Sequence, residues 1–155
     1  MGCTGQRPNS SILGSLLPNA VSEETSRILV QPTLQVLAAD TPSPDTRTFA
    51  FGDVADHGGP YMARAGWRQS GIVLDNILAM ISGQAPSRTY KPEVFIEGAI
   101  KLTLGKTHLV FYSMEADGSD VMIPARNGQL DLGIKRAWRS YGADFKLAGE
   151  PAGSI

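Results

Sequence analysis

FAFGDVADHGGPYMARAG, residues 49–66, decides how this chain is read. A short apolar run ends in Gly52-Asp53, and Gly58-Gly59-Pro60 stand just before a helical pattern. Phe49-Ala50-Phe51 is bounded by glycine and reads as a short strand buried on both faces. Pro60 reads as the first helical position, where its fixed φ is already set for a helix. Asp53 would then sit at the C-terminal end of a buried strand, where open α/β sheets bind ligands. Gly52 lets a ligand approach the backbone closely. The Asp53 carboxylate accepts strong, charge-assisted hydrogen bonds from hydroxyls. The helix start a few residues on offers unpaired N–H groups and a partial positive charge. These parts suit a ligand with hydroxyls at one place and developing negative charge at another. The alternative is a capped turn in a structural loop.

Working outward, the strongest periodic signal follows this stretch. Gly66, Ser70, Val73, Ile77 and Ile81 fall on one helical stripe with Leu74 and Leu78 beside it, and Gly83 follows as a stop, so a helix is expected over about 61–82. Upstream, Pro8-Asn9 marks a turn, 12–17 reads as one helical turn, and 28–30 with 34–37 read as strand pieces. Residues 41–46 read as a loop. Downstream, 84–91 is a loop, and the apolar stretches 94–104 and 108–114 follow. Ile100, Leu102 and Leu104 alternate with Lys101 and Thr103, as in a half-exposed strand, and Gly105-Lys106 sit where a hairpin turn belongs. Residues 122–124 suggest a short edge strand, 131–145 an amphipathic helix, and the tail from 146 a frayed end.

The chain has 155 residues, 42% apolar, 19% charged, with a net charge of −1. That is length for a real core and gives no electrostatic footprint for nucleic acid or an anionic membrane. The low charge content suggests surface meant to be covered. No apolar run reaches the about 18 residues needed to span a bilayer, and there is no secretory leader pattern. Cys3 is the single cysteine, which excludes a disulfide framework and a cysteine zinc site, and fits an intracellular setting. The opening Met-Gly-Cys-Thr-Gly-Gln has Gln6 where the myristoylation pattern wants Ser or Thr.

Other motifs fail on spacing. Gly105-Lys106-Thr107 resembles the end of a P-loop, but Ile100 stands where a glycine is required and a strand follows instead of a helix. Asp53, Asp56 and His57 are metal-ligand types, yet one cluster supplies too few donors and His108 lies in a strand far along the chain. Cys3 has no neighbouring histidine, there is no G-x-S-x-G elbow, and the aromatics are too scattered for a base-stacking platform.

TFAFGDVAD resembles the second FAD-binding signature of flavoproteins with two dinucleotide-binding domains, the pyridine nucleotide–disulfide reductase class. CTGQRPNSSIL, residues 3–13, is similar to the T-G-x-x-P-N segment where such chains return from the NAD(P)H domain to the FAD domain. GGPYMARAG and YKPEVFIEGAIKLTLGK look most like the apoptosis-inducing-factor-like branch, which includes ferroptosis-suppressor-type NAD(P)H:quinone oxidoreductases and fungal mitochondrial relatives. The resemblance runs over about 2–145. Such enzymes are normally more than twice this length, and the G-x-G-x-x-G units that bind the ADP half of FAD and NAD(P)H are not in this sequence.

The resemblance implies an α/β chain (α+β in isolation): the C-terminal part of a FAD/NAD(P)-binding Rossmann-type fold, 1–83, then a small β-hairpin/helix domain, 84–145, and a flexible tail, 146–155. It implies FAD as cofactor, gripped at Gly52 and Asp53, with Asp53 on the ribityl chain and the backbone N–H groups around Met62 and Ala63 facing the pyrimidine edge of the flavin. Electrons would pass from NAD(P)H through flavin to a quinone-like or other small-molecule acceptor, in a cytoplasmic or mitochondrial setting. A complementing flavoprotein chain would supply the missing half. No residue stands out as a catalytic acid, base or nucleophile. The competing expectation is a non-catalytic flavoprotein remnant or subunit that acts through protein interaction.

Overall fold

The computed structural model describes residues 5, 7–14, 16–38, 40, 47–105, 107–126 and 133–143. Its centre is α1, Ala63–Ile81. Met62 is the N-cap, in extended conformation, so Pro60 lies before the helix rather than at its first position. The Met62 N–H folds back to the Pro60 carbonyl at 3.0 Å. At the other end Ser82 is the C-cap, and Gly83, with φ of 74°, donates its N–H to the Met80 carbonyl. A left-handed glycine after the last turn stops the helix as expected, because it satisfies a free carbonyl without a Cβ penalty.

The buried face of α1 corrects the stripe read from the sequence. Ala65, Gln69, Val73 and Asn76 are buried, whereas Leu74, Ile77, Leu78 and Ile81 are exposed. The polar pair goes inward because it finds partners there. Asn76 spends its whole amide on backbone groups: Nδ2 donates to the Thr33 and Arg88 carbonyls, and Oδ1 accepts from the Ser87 and Arg88 N–H groups. A helical stripe counted from apolar residues alone weighs area and overlooks such partners.

The described residues form two small apolar clusters. One joins Ala20, Ile28, Val36, Ala50 and Ala55; the other joins Leu34, Val73 and Tyr90. Leu34 is 1% exposed and has φ of 65°. Burial of that side chain stabilises by about 1.5–3 kcal/mol, against roughly 1–2 kcal/mol for the left-handed backbone, so burial holds it there. Its N–H closes the 31–34 turn on the Gln31 carbonyl. Strands β1, Ile28–Leu29, and β2, Ala55–Asp56, pair in parallel. Phe49 makes one isolated bridge to Gln35. The expected strand at 49–51, buried on both faces, is thereby corrected: Ala50 is buried, but Phe51 is 40% exposed and is the N-cap of a 3-10 turn.

The second half begins with the short α2, Val94–Glu97, inside a stretch read as continuous with the strand. Then β3, Ile100–Leu104, β4, His108–Met114, and β5, Asp120–Arg126, form an antiparallel sheet in the order β3-β4-β5. Gly105, with φ of 69°, opens the tight connection between β3 and β4, so the expected hairpin is present there. The edge strand is longer than 122–124, and Pro124 is tolerated there opposite Val110 because an edge strand need not donate outward. All five residues of β3 are exposed rather than half-exposed. The other contact surface of the sheet is tied to α2, with Phe95 against Phe111 at 6.3 Å and the Ser113 hydroxyl donating to the Phe95 carbonyl at 2.6 Å. The last helix is α3, Ile134–Ser140; 131–132, 144–145 and the tail lie outside the described residues. The chain is thus mixed α/β.

Candidate functional site

Gly52 sits in the left-handed region with φ of 71°, and Gly52–Val54 form a single 3-10 turn. The turn exists because glycine accepts that φ; any Cβ residue would carry strain. It packs on α1 at two points. The Gly52 N–H donates to Gln69 Oε1 at 2.7 Å, and Gly66 faces the Gly52 Cα, where a Cβ would approach to 3.8 Å. Asp53 is exposed. Its carbonyl accepts from Arg27 Nε at 3.2 Å, and the Arg27 guanidinium lies 3.7 Å above the Tyr61 ring. The expected placement of Asp53 at the end of a buried strand is therefore corrected: Gly52 and Asp53 lie in a 3-10 turn.

Met62 and Ala63 stand at the start of α1, where no side chain caps the helix. The Met62 N–H is already engaged by Pro60, which leaves the first-turn N–H groups from Ala63 onward as donors without an intrahelical acceptor. Beside them opens a groove of about 400 Å³, lined by Gly58, Gly59, Pro60, Met62, Val94, Gly98, Tyr112 and Met114. Its walls are largely apolar, and they join the start of α1 to α2 and β4.

Behind the turn lies a buried polar layer that sequence reading missed. Glu97 is fully buried; Oε2 accepts from the Tyr90 hydroxyl, and Oε1 lies 2.9 Å from Arg68 Nη1. That second contact is an ion pair rather than an aligned hydrogen bond, since neither atom finds a partner of good angle. Arg68 also pairs with Glu93 at the surface. Burial and the neighbouring carboxylate push the Tyr90 hydroxyl up to about 12, so it remains a donor at neutral pH. Gly59 exists for this layer: a Cβ there would lie 2.5 Å from the Tyr90 oxygen. His57 stands edge-on to Tyr90 at 5.5 Å, and its Nδ1 accepts from the Gly59 N–H at 3.1 Å. Burial holds its pKa below 6.5, although Glu97, the Gly52 backbone, Asp53 and Asp56 all pull the other way. The imidazole is therefore neutral at pH 7, with the proton on Nε2. The signal of this layer in the sequence is Gln69, a polar residue four positions after Ala65 and four before Val73.

The remaining candidates do not assemble. Among the described residues no group of three His, Cys, Asp or Glu side chains converges as a metal site. Asp56 is instead engaged by the Thr25 hydroxyl at 3.0 Å and the Tyr61 hydroxyl at 3.5 Å. His108 is exposed, next to the Thr107 hydroxyl. Cys3 and Lys106 lie outside the described residues. No described helix is long and apolar enough to cross a membrane.

No family model matches the chain. Among characterised proteins, it is similar to Fe-regulated protein 8 of Mycosarcoma maydis, at 33% identity over 144 residues. The match takes in 90% of this chain and 32% of that protein, so the chain spans about a third of the length of the curated relative it matches.

Proposed function

We propose that this chain is the cofactor-gripping C-terminal part of a FAD-dependent NAD(P)H oxidoreductase of the apoptosis-inducing-factor-like kind, built on a Rossmann-type fold. Asp53 accepts hydrogen bonds from the ribityl hydroxyls, and the first-turn N–H groups of α1, from Ala63 onward, attract the negative charge of the reduced pyrimidine edge. FAD supplies the hydride and electron chemistry when bound; these residues bind and orient it. The ADP half of FAD and NAD(P)H would be held by a complementing dinucleotide-binding segment. The apolar groove beside Met62 suits an aromatic ring system or a quinone-like acceptor.

The observation that carries this reading is the packing of the Gly52–Asp53 turn on α1. It ties a turn carrying an exposed carboxylate to Gly66 and Gln69 of a helix whose start is uncapped, though nine residues of chain lie between Asp53 and Ala63. The test is a FAD titration of the purified chain by visible flavin absorbance, alone and with a complementing dinucleotide-binding segment added. Asp53→Ala should weaken FAD binding by roughly tenfold or more, the loss expected for a charge-assisted bond. Equal affinity in wild type and variant would remove Asp53 from the cofactor.

A second reading, a non-catalytic subunit that acts through protein contacts, is favoured by the outer face of α1. Trp67 is 79% exposed and Ile81 77%, with Leu74 and Leu78 between them. Apolar side chains in a row on one helix are the mark of a contact surface. Absence of any FAD binding, with or without the complementing segment, would favour that reading.

A further inference from the structure

We infer that Gln69 is the positioning residue of the Gly52–Asp53 turn: its side-chain carbonyl locks the Gly52 N–H and thereby fixes where the Asp53 carboxylate points. The inference rests on the cofactor reading above for its consequence, but the lock itself stands on geometry alone.

Glycine in a three-residue turn has the widest conformational choice of any residue. Nothing lies within 4 Å of where a Gly52 Cβ would be, so side-chain packing cannot hold it. The turn is fixed by long-range hydrogen bonds instead. From the outside, Arg27 Nε reaches the Asp53 carbonyl. From the inside, Gln69 reaches the Gly52 N–H across 17 residues of sequence. Gln69 is fully buried, so its bond faces no competition from water and carries more weight than the exposed one.

The orientation of the Gln69 amide is also determined. Gly52 offers a donor, so Oε1 must face it. Nε2 then points into the buried layer beside the Tyr90 oxygen, which keeps a lone pair because its proton goes to Glu97. Nε2 has no aligned bond of its own, so it is the Gly52 contact that anchors the side chain. Tyr90, bonded in turn to Glu97 of α2, is the neighbour on that side, which links α2 to the Gly52–Asp53 turn through Gln69.

The experiment uses the full chain and two variants. Gln69→Met keeps the volume and removes the acceptor. Gln69→Glu, read at acidic pH where the buried carboxyl carries its proton, keeps an acceptor at the same reach and a donor toward the Tyr90 oxygen. Backbone amide hydrogen exchange is followed at Gly52 by NMR, with the Val73 amide in α1 as an internal check on folding, and FAD affinity is measured alongside. In Gln69→Met, Gly52 exchange should accelerate by about tenfold or more while Val73 stays protected, and Gln69→Glu should restore much of the Gly52 protection. If the methionine loosens α1 as a whole, Gln69→Glu carries the test, and loss of Gly52 protection there with Val73 intact overturns the lock. Unchanged Gly52 exchange in Gln69→Met also overturns it. FAD affinity should fall in Gln69→Met and combine with Asp53→Ala less than additively, because both act on one contact. A FAD affinity that falls in Asp53→Ala yet is untouched in Gln69→Met refutes the positioning role. Absence of FAD binding in every form sinks the cofactor reading, while the exchange result still decides the lock.

Discussion

Asn76→Asp is the substitution whose outcome the structure fixes most sharply. The two side chains are nearly identical in shape, so packing is unchanged. Asn76 is fully buried and makes four hydrogen bonds, two as donor and two as acceptor. A carboxylate keeps the acceptor side toward the Ser87 and Arg88 N–H groups but turns a second acceptor onto the Thr33 and Arg88 carbonyls. Two donor bonds are lost and two carbonyls face an oxygen, in a site closed to water. At about 1 kcal/mol per net hydrogen bond and about 1–3 kcal/mol for a buried group left unsatisfied, the cost is about 3–5 kcal/mol. For a chain of this size that corresponds to a fall in Tm of roughly 6–20 °C. The pH dependence gives an independent check. Burial and the facing carbonyls raise the folded-state pKa of the introduced carboxyl above its unfolded value of about 3.9. A folded state that binds more protons loses stability as pH rises. The deficit against wild type should thus be largest at neutral pH and shrink toward acid pH. Thermal melts by circular dichroism across that range measure both quantities. A variant as stable as wild type at neutral pH, or a deficit independent of pH, would refute the four-bond account of Asn76.

Two glycines should respond in opposite directions to alanine. At Gly59 the new methyl would meet the Tyr90 hydroxyl at 2.5 Å and Pro92 Cβ at 3.1 Å; both neighbours are rigid, and displacing Tyr90 also breaks its bond to Glu97, so Gly59→Ala should lose about 2–4 kcal/mol in a denaturant titration. Gly71 lies within α1 with nothing within 4 Å of a Cβ, and Gly71→Ala should gain about 0.5–1 kcal/mol. His57 should give the fold an acid limb: its folded pKa lies below 6.5, the unfolded state binds the proton first, and stability is lost as pH falls from 6.5 toward the folded value. His57→Gln should flatten that limb, and an unchanged pH–stability curve would remove His57 as its source.

Local signals in the sequence were read well. Periodicity over the long helix, together with Gly83, located α1 to within two residues at each end, because helix and stop are decided by near neighbours. Gly105 located the hairpin for the same reason. Gly52-Asp53 was read as a strand end, and the structure shows a turn instead, with Gly52 at a φ that only glycine takes cheaply. What failed was much of the reading of which side is covered, although Val73 and Ala50 are buried as expected. Ile77, Leu78 and Ile81 were read as the packed stripe, yet they are exposed, and Phe51 was read as buried.

By itself, then, the sequence determined where the helix and the hairpin lie, because each rests on contacts a few residues apart. The tertiary structure alone decided which face of α1 is buried and what holds Asp53 in place. Those answers depend on a hydrogen bond that Gln69 accepts from a residue 17 positions away and one that Asn76 donates to a residue 43 positions away. A buried amide is favourable only where its partners are, and no local pattern of apolar and polar residues records where the chain will bring them.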